Sequence, residues 1–343
     1  MTITVIFVIV LAYMSMRPRS LLDLARPVVD CSNWYGPSFW ISTREMAGPK
    51  QGDESGLTAL AFDVETGAQR PLPELVAALN RVEAGCNRFS SPDGRWILID
   101  HLNNKPYYDA VSTDGSRHVR WPKLESETSA GGNIPWFADS KRWVYIFSSS
   151  AGFTSNDGVK AVIRCLKDPT SRKEIPWPKP GNESGFEQIA TGLHDDLVIT
   201  STIFAKRPST IRVTWHKRDL IRGTLERLNL PAAGGEEVLS VAASPGGRRL
   251  AWLVWHKQSP KPKWLSRFLH LFRSSEKDCE SLWITDEDGG HQREIGRVPV
   301  DVFTDSGHGF TTAMPNGPGE LNWSPDGRRM SFQFEGRLWV MSI

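Results

Sequence analysis

One short turn motif recurs along the chain, and it constrains the fold more than any other feature. The four copies read SPDGR at 91–95, ADSKR at 138–142, SPGGR at 244–248 and SPDGR at 324–328. Proline presets φ for a turn, aspartate caps its own backbone and glycine adopts the left-handed position. A short apolar run, rich in β-branched and aromatic residues, follows each copy at once. A fixed turn that leads into a fixed strand indicates a repeat protein. The residues predicted to form these turns are Pro92, Asp93, Gly94, Asp139, Pro245, Gly247, Pro325, Asp326 and Gly327.

A second turn signal follows further along each unit. Thr66–Gly67, Asp114–Gly115 and Gly289–Gly290 each follow a short alternating run, as the turns of β-hairpins do. Each unit is therefore two hairpins, or four short strands, which is one blade of a β-propeller. A degenerate copy of the turn is predicted near 193–199, where the proline is missing. Six blades result, at about 34–80, 86–122, 133–178, 186–231, 238–298 and 319–343.

The last unit ends in its third strand, at 338–343. A propeller can close its ring with a strand from the other end of the chain, which removes an exposed sheet edge. We expect the residues from Val28 to Asn33 to supply that strand. An open, incomplete sheet is the alternative.

The repeat resembles that of a known family. Trp323 to Arg329, followed by Leu338 to Met341, is similar to the repeat of TolB-like six-bladed propellers, which the propeller domains of the prolyl-oligopeptidase family share. The similarity covers about 90–343. Two copies depart from the pattern, because Asp139-Ser140 lacks the proline and the glycine and Gly246 replaces the aspartate. The resemblance implies an all-β chain with four-stranded antiparallel blades, and it says little about function.

Composition fits one folded domain. With 39% hydrophobic and 23% charged residues the chain can bury a core, and its 14 tryptophans suit the space between packed sheets. The net charge of +2 gives no sign of a nucleic-acid partner. The cysteines are isolated, so no CxxC metal or redox motif is present. We expect a monomeric propeller domain over 21–343.

The N-terminal segment 1–20 differs from the rest. Ile3 to Met16 carries no charge and is shorter than a bilayer core requires. It could be an uncleaved apolar helical anchor, a signal peptide whose true start lies upstream, or a buried strand. Arg17, Arg19 and Arg26 follow it, which favours a cytoplasmic body by the positive-inside rule. A signal-like segment instead favours a membrane-associated, extracytoplasmic (periplasmic or secreted) protein, and the side of the membrane stays open.

No motif predicts catalysis, a cofactor or a metal. The chain lacks GxSxG, HExxH, a Walker A loop and GxGxxG. Asp305-Ser306-Gly307-His308-Gly309 lies in a long connection from 299 to 319, and residues so close in sequence rarely form a triad. Asp286 to Gly289 and His194 to Asp196 are interpreted as turns rather than metal sites. His101, His216 and His256 are isolated in the sequence.

The insertion 257–279 is the most distinctive candidate for a partner surface. A helix of about three turns there would place Trp264 and Phe268 on an apolar side and Lys263, Arg267 and Arg273 on a basic side. Basic amphipathic helices bind membrane surfaces or partner grooves. The alternative is that the apolar side packs on the propeller rim.

These predictions converge on one face. Connections between the second and third strands of a blade share a face with the connections between blades, and the repeat turns occupy the other face. The insertion 257–279 and the connection 299–319 would thus emerge together. We expect a non-enzymatic, TolB-like protein-binding scaffold at or near a membrane, with an unidentified protein partner. The alternative is a propeller hydrolase or lyase with its site at the central channel.

Overall fold

The computed structural model describes most of the chain from residue 20 onward. The described residues are 20–30, 38–51, 57–80, 86–101, 107–123, 134–148, 159–177, 185–207, 210–231, 236–256, 279–299, 319–334 and 337–343. The N-terminal apolar segment and residues 257–278 of the predicted amphipathic helix lie outside them. Neither helix of the described residues has the length and apolar character needed to cross a bilayer.

The described strands form six antiparallel sheets, which we call blades 1 to 6 in chain order. Blade 1 contains β2 (Phe39–Trp40), β3 (Glu45–Gln51), β4 (Leu57–Asp63) and β5 (Gln69–Pro71). Blade 2 contains β6 (Cys86–Ser90), β7 (Trp96–His101), β8 (Tyr107–Ser112) and β9 (His118–Pro122). Blade 3 contains β10 (Arg142–Ser148), β11 (Val159–Cys165) and β12 (Asp168–Pro176).

The second half of the ring repeats the pattern. Blade 4 contains β13 (Gly185–Gly192), β14 (Leu197–Arg207), β15 (Thr210–Asp219) and β16 (Leu225–Arg227). Blade 5 contains β17 (Glu236–Ala243), β18 (Arg249–His256), β19 (Cys279–Asp286) and β20 (Arg293–Pro299). Blade 6 contains β21 (Gly319–Trp323), β22 (Arg329–Phe334) and β23 (Arg337–Ser342). The predicted insertion therefore ends one residue early, because Cys279 already belongs to β19.

An N-terminal strand closes the ring. β1 (Ala25–Asp30) pairs antiparallel with β23, and Asp30 lies opposite Arg337. The predicted closing strand is thus confirmed, but it begins three residues before Val28, and Cys31 to Asn33 lie outside the described residues. A short helix, α1 (Leu21–Leu24), precedes β1, and Leu21 is buried between blades 5 and 6.

The core lies between the blades. The described apolar residues form six clusters, and each cluster joins one blade to the next, including blade 6 to blade 1 through Leu338 and Trp40. The indoles of three tryptophans also join neighbouring blades, since each donates to a backbone oxygen of the preceding blade: Trp40 to Asn322 at 3.3 Å, Trp136 to Phe89 at 2.9 Å and Trp323 to Ala242 at 3.1 Å. The prediction that tryptophans fill the space between sheets is confirmed for these residues.

The repeat turns have the predicted conformation. Gly94, Gly247 and Gly327 have φ of 71°, 70° and 65°. Where glycine is missing, Ser140 and Asp195 take the same left-handed conformation, with φ of 55° and 54°. The degenerate turn predicted near 193–199 is therefore real.

Two elements differ from the prediction. Blade 3 has three described strands instead of four, because Ile134 to Phe137 meets β10 only through a bridge between Trp136 and Trp143, and Pro135 has no N–H to donate. In blade 1 the short β5 leads into a helix, α2 (Pro73–Asn80). Proline suits the first position of a helix, and Leu75 and Leu79 lie on one side, buried against blade 2.

Candidate functional site

A cavity of about 350 Å³ occupies the axis of the ring. Its lining includes residues from the innermost part of every blade, among them Ser38, Arg88, Trp136, Thr191, Ser240 and Asn322. It extends between blades 1 and 2, where Ala59, Leu75, Leu79 and Ile97 line it. The repeats form this cavity by bringing the inner segments of all six blades together around one axis.

Arg88 is the single charged side chain among the described residues that line this cavity. It lies in the middle of β6, and its Nε is buried without a hydrogen-bond partner. No hydrogen bond or ion pair joins its guanidinium to another described residue. An arginine is charged at every physiological pH, so the cavity holds one positive charge without a described counter-ion.

The inner strands of blades 4, 5 and 6 are irregular where they border the cavity. β13 has a register shift between Ile189 and Thr191, and β17 has one between Val238 and Ser240. β21 has another before Asn322. Bulges interrupt the backbone ladder and are frequent next to binding sites. Here they place hydroxyl and amide groups along the wall of the cavity that faces blade 2.

Sequence reasoning missed Arg88, although a signal was present. Arg88 lies five residues before Asp93 of the first turn. At the same distance before the other three copies the chain has Ile134, Val241 and Leu321, which are all apolar. A comparison of the copies position by position would have singled out this charge.

A second polar cluster lies in blade 2, between the blade and its neighbour blade 1. The Asp109 carboxylate is fully buried, and His101 and His118 contact it through Nε2 at 2.8 and 2.7 Å. Arg120 donates to it from Nε at 2.9 Å and from Nη2 at 3.3 Å. The interpretation of His101 as isolated was therefore wrong, because β-sheet register brings these residues together from three strands.

The electrostatics of Asp109 follow from these contacts. Burial alone would raise the pKa of the Asp109 carboxyl, but the hydrogen bonds from Arg120, His101 and His118 outweigh it and lower the pKa below its ordinary value. The group is an anion at neutral pH. On the opposite face of the blade, Lys123 donates to the buried Asp100 at 2.8 Å.

The pKa of the Glu280 carboxyl in blade 5 is shifted in the opposite direction to that of Asp109. Its side chain is 1% exposed, and its Oε2 has no hydrogen-bond partner in the described structure. Burial raises the pKa of this carboxyl to about 8, so it is protonated at neutral pH. Its cross-strand neighbour is Trp255, whose indole nitrogen is also buried without a partner.

Two turns that lie far apart in the sequence, those of His194 and Glu287, contact each other in the structure. His194 Nε2 lies 2.5 Å from an oxygen of Glu287, and Lys217 donates to the other oxygen of that carboxylate at 3.2 Å. The pair joins blade 4 to blade 5. His256, also expected to be isolated, contacts Ser281. No group of acids, histidines and cysteines with the geometry of a metal site occurs among the described residues.

The predicted partner residues Lys263, Trp264, Arg267, Phe268 and Arg273 lie outside the described residues, as does 305–309. The strands that lead into these segments are described. Cys279 lies opposite His256 on one side and opposite Pro299 on the other. These three residues therefore form a row across blade 5, at the same end of its strands. The strand ends that precede the connections 257–278 and 300–318 thus lie together at one end of blade 5.

Comparisons with known proteins concern the fold alone. No protein-family model matches the chain, and no curated protein matches its sequence. Putative TolB from Agrobacterium tumefaciens is similar in structure, with 13% identity over 89% of each chain and a TM-score of 0.43. TolB from Acinetobacter baumannii shares 11% identity over 88% of this chain and 64% of its own, with a TM-score of 0.47. An oligogalacturonate lyase from Vibrio parahaemolyticus shares 10% identity over 91% and 90%, with a TM-score of 0.45. The six-bladed arrangement predicted from the repeats is confirmed by the sheets of the chain itself.

Proposed function

We propose that this propeller is a non-enzymatic scaffold that binds a protein partner at or near a membrane. Its working surface is the loop face, which we define as the face that carries the connections 257–278 and 300–318. The observation that carries the proposal is the row formed by His256, Cys279 and Pro299. These residues lie at the same end of the three neighbouring strands of blade 5. The two longest gaps between described segments, 257–278 and 300–318, therefore both begin at that end of the blade.

The sequence of the insertion supplies the chemistry. Six lysines and arginines lie between 257 and 279, against Glu276 and Asp278. A helix over this segment would place Trp264 and Phe268 on the side opposite to Lys263, Arg267 and Arg273. A basic surface with aromatic residues binds acidic surfaces, and vesicles that contain anionic lipid supply such a surface as a probe of this face. The apolar segment 3–16 is consistent with a location beside a membrane, on its extracytoplasmic side.

Charge reversal tests the loop face. A variant with Lys263→Glu, Arg267→Glu and Arg273→Glu is compared with the wild-type chain for sedimentation with vesicles of phosphatidylcholine and phosphatidylglycerol. Each basic residue near an anionic surface contributes about 1 kcal/mol, so the apparent affinity is expected to fall roughly a hundredfold or more.

The matched control reverses three exposed cations on the opposite face, Arg117→Glu, Lys167→Glu and Arg222→Glu. These residues lie in hairpin turns of blades 2, 3 and 4. The control is expected to keep most of the vesicle binding, and circular dichroism should show both variants folded. Equal binding by all three proteins, or equal loss in both variants, would refute the loop face as the working surface.

A further inference from the structure

The central cavity has the chemistry of a small-molecule site. Among the described residues that line it, Arg88 is the one cationic group, several others carry neutral polar groups, and most of the rest are apolar. Arg88 is partly buried, and its buried Nε has no hydrogen-bond partner among the described residues. A charged donor in such a position gains free energy when an acceptor pairs with it. A ligand that carries a negative charge would supply that acceptor.

We propose that the cavity binds a small monocarboxylate with an apolar body, and that Arg88 pairs with its carboxylate. The guanidinium offers a planar, two-pronged donor that matches the two oxygens of a carboxylate. One guanidinium balances one negative charge. A phosphate monoester carries nearly two charges at neutral pH and would remain partly uncompensated.

The walls fit the apolar body of such a ligand. Phe39, Leu75, Leu79 and Ile97 line the part of the cavity between blades 1 and 2, next to the strand that carries Arg88. A volume of about 350 Å³ accommodates a ligand of modest size and not a polymer. On the far side of the axis, Thr191 and Ser240 follow the strand bulges and provide hydroxyl donors.

Matched ligands test the charge requirement. The full-length protein is titrated by calorimetry with octanoate and hydrocinnamate, with their neutral amides, and with phenethyl phosphate. Hydrogen bonds to a charged group are the stronger ones, so the amides are expected to bind roughly tenfold to a hundredfold more weakly than the carboxylates. Tighter binding of the phosphate would overturn the assignment to carboxylates, and so would the absence of any carboxylate binding at millimolar concentrations.

Matched variants test the residue. Arg88→Gln is expected to lose the preference for carboxylate over amide. Arg95→Gln, a change of an exposed arginine in the turn of the same blade, is expected to keep it. Retention of the preference by Arg88→Gln would contradict the proposal.

A second measurement does not depend on the choice of ligand. Removal of a partly buried cation that has no described counter-ion relieves a cost in the ligand-free protein, so Arg88→Gln should unfold at a temperature no lower than that of the wild type. With a carboxylate present, the wild type should gain thermal stability and the variant should not. A variant that is less stable than the wild type without ligand would show that Arg88 already has a structural partner.

Discussion

At the scale of single residues, folding gives Asp109 an environment that its sequence neighbours do not provide. Its carboxylate is 0% exposed, and its contacts come from His101, His118 and Arg120 on β7 and β9. The pKa of Asp109 is lower in the folded chain than its ordinary value of about 3.9. A carboxyl with a depressed folded pKa stabilises the protein above its unfolded pKa and loses this contribution as the pH falls through the folded value.

Asp109→Asn should therefore lower the free energy of unfolding by about 2 kcal/mol at pH 7, because an amide cannot replace the buried carboxylate that His101, His118 and Arg120 contact. The difference from the wild type should shrink as the pH falls below about 4. Urea unfolding followed by tryptophan fluorescence at several pH values measures both effects. Asp288→Asn, at an exposed turn position, should change the stability by less than about 1 kcal/mol. A difference between Asp109→Asn and the wild type that stays constant in acid would contradict this assignment.

The sequence allows one of the two polar sites to be found and not the other. Arg88 occupies a fixed offset from a repeat turn, so alignment of the copies reveals it. Asp109 has partners on two neighbouring strands, and strand register determines which residues meet. A change of one residue in that register would place His101 and Arg120 on the other face of the blade. The cluster therefore becomes visible only once the strands are paired.

At the scale of elements, the repeat turn is the part of the fold that the sequence predicts best. Its backbone conformation is local, and glycine is the residue that adopts it at least cost. The turn also has a tertiary role, because a side chain at Gly94 would approach the backbone oxygen of Trp40 to 2.5 Å. The turn of blade 2 thus packs directly on the backbone of blade 1.

Two causes can favour glycine in a turn, a positive φ and the lack of space for a side chain, and this contact allows them to be measured separately. Gly94→Ala should lower the free energy of unfolding by roughly 3 kcal/mol, because it adds a clash to an unfavourable φ. Gly67→Ala is the matched control, since Gly67 has φ +73° with no atom within 4 Å of the added carbon. It should cost about 1 kcal/mol. Equal losses in thermal or urea unfolding would mean that the turn of blade 2 does not pack on blade 1.

Other elements escape prediction for physical reasons. Helix α2 lies at the end of the segment 34–80 that the sequence assigns to the four strands of blade 1, and it forms because Leu75 and Leu79 have a helical spacing and pack between blades 1 and 2. The inner edge of blade 3 is reduced to a bridge where Pro135 lacks a donor. In both places a tertiary contact or a missing hydrogen bond determines the secondary structure, and the repeat pattern of the sequence does not show it.

At the scale of the whole molecule, closure of the ring is what brings the working parts together. The apolar clusters follow one another from blade 1 to blade 6, and the cluster with Leu338 and Trp40 completes the circle. The cavity exists because the inner segments of six blades surround one axis. An open row of sheets would have no such cavity.

Closure can be tested by joining its two strands. Asp30 and Arg337 lie opposite each other in β1 and β23, and both side chains are exposed. Asp30→Cys with Arg337→Cys, in a chain whose native cysteines are replaced by serine, should form a disulfide on mild oxidation. The bond should raise the free energy of unfolding by about 4 kcal/mol, because it closes a very long loop in the unfolded chain.

The direct measurement is the change in unfolding temperature between the oxidised and reduced forms of this variant. A control variant pairs Asp30→Cys with Arg227→Cys, which lies on the outer strand of blade 4. A closed six-bladed ring predicts rapid crosslinking and a higher unfolding temperature for the first pair, and no crosslink within the control chain. Equal crosslinking in both variants, or none in the first, would contradict the closed ring.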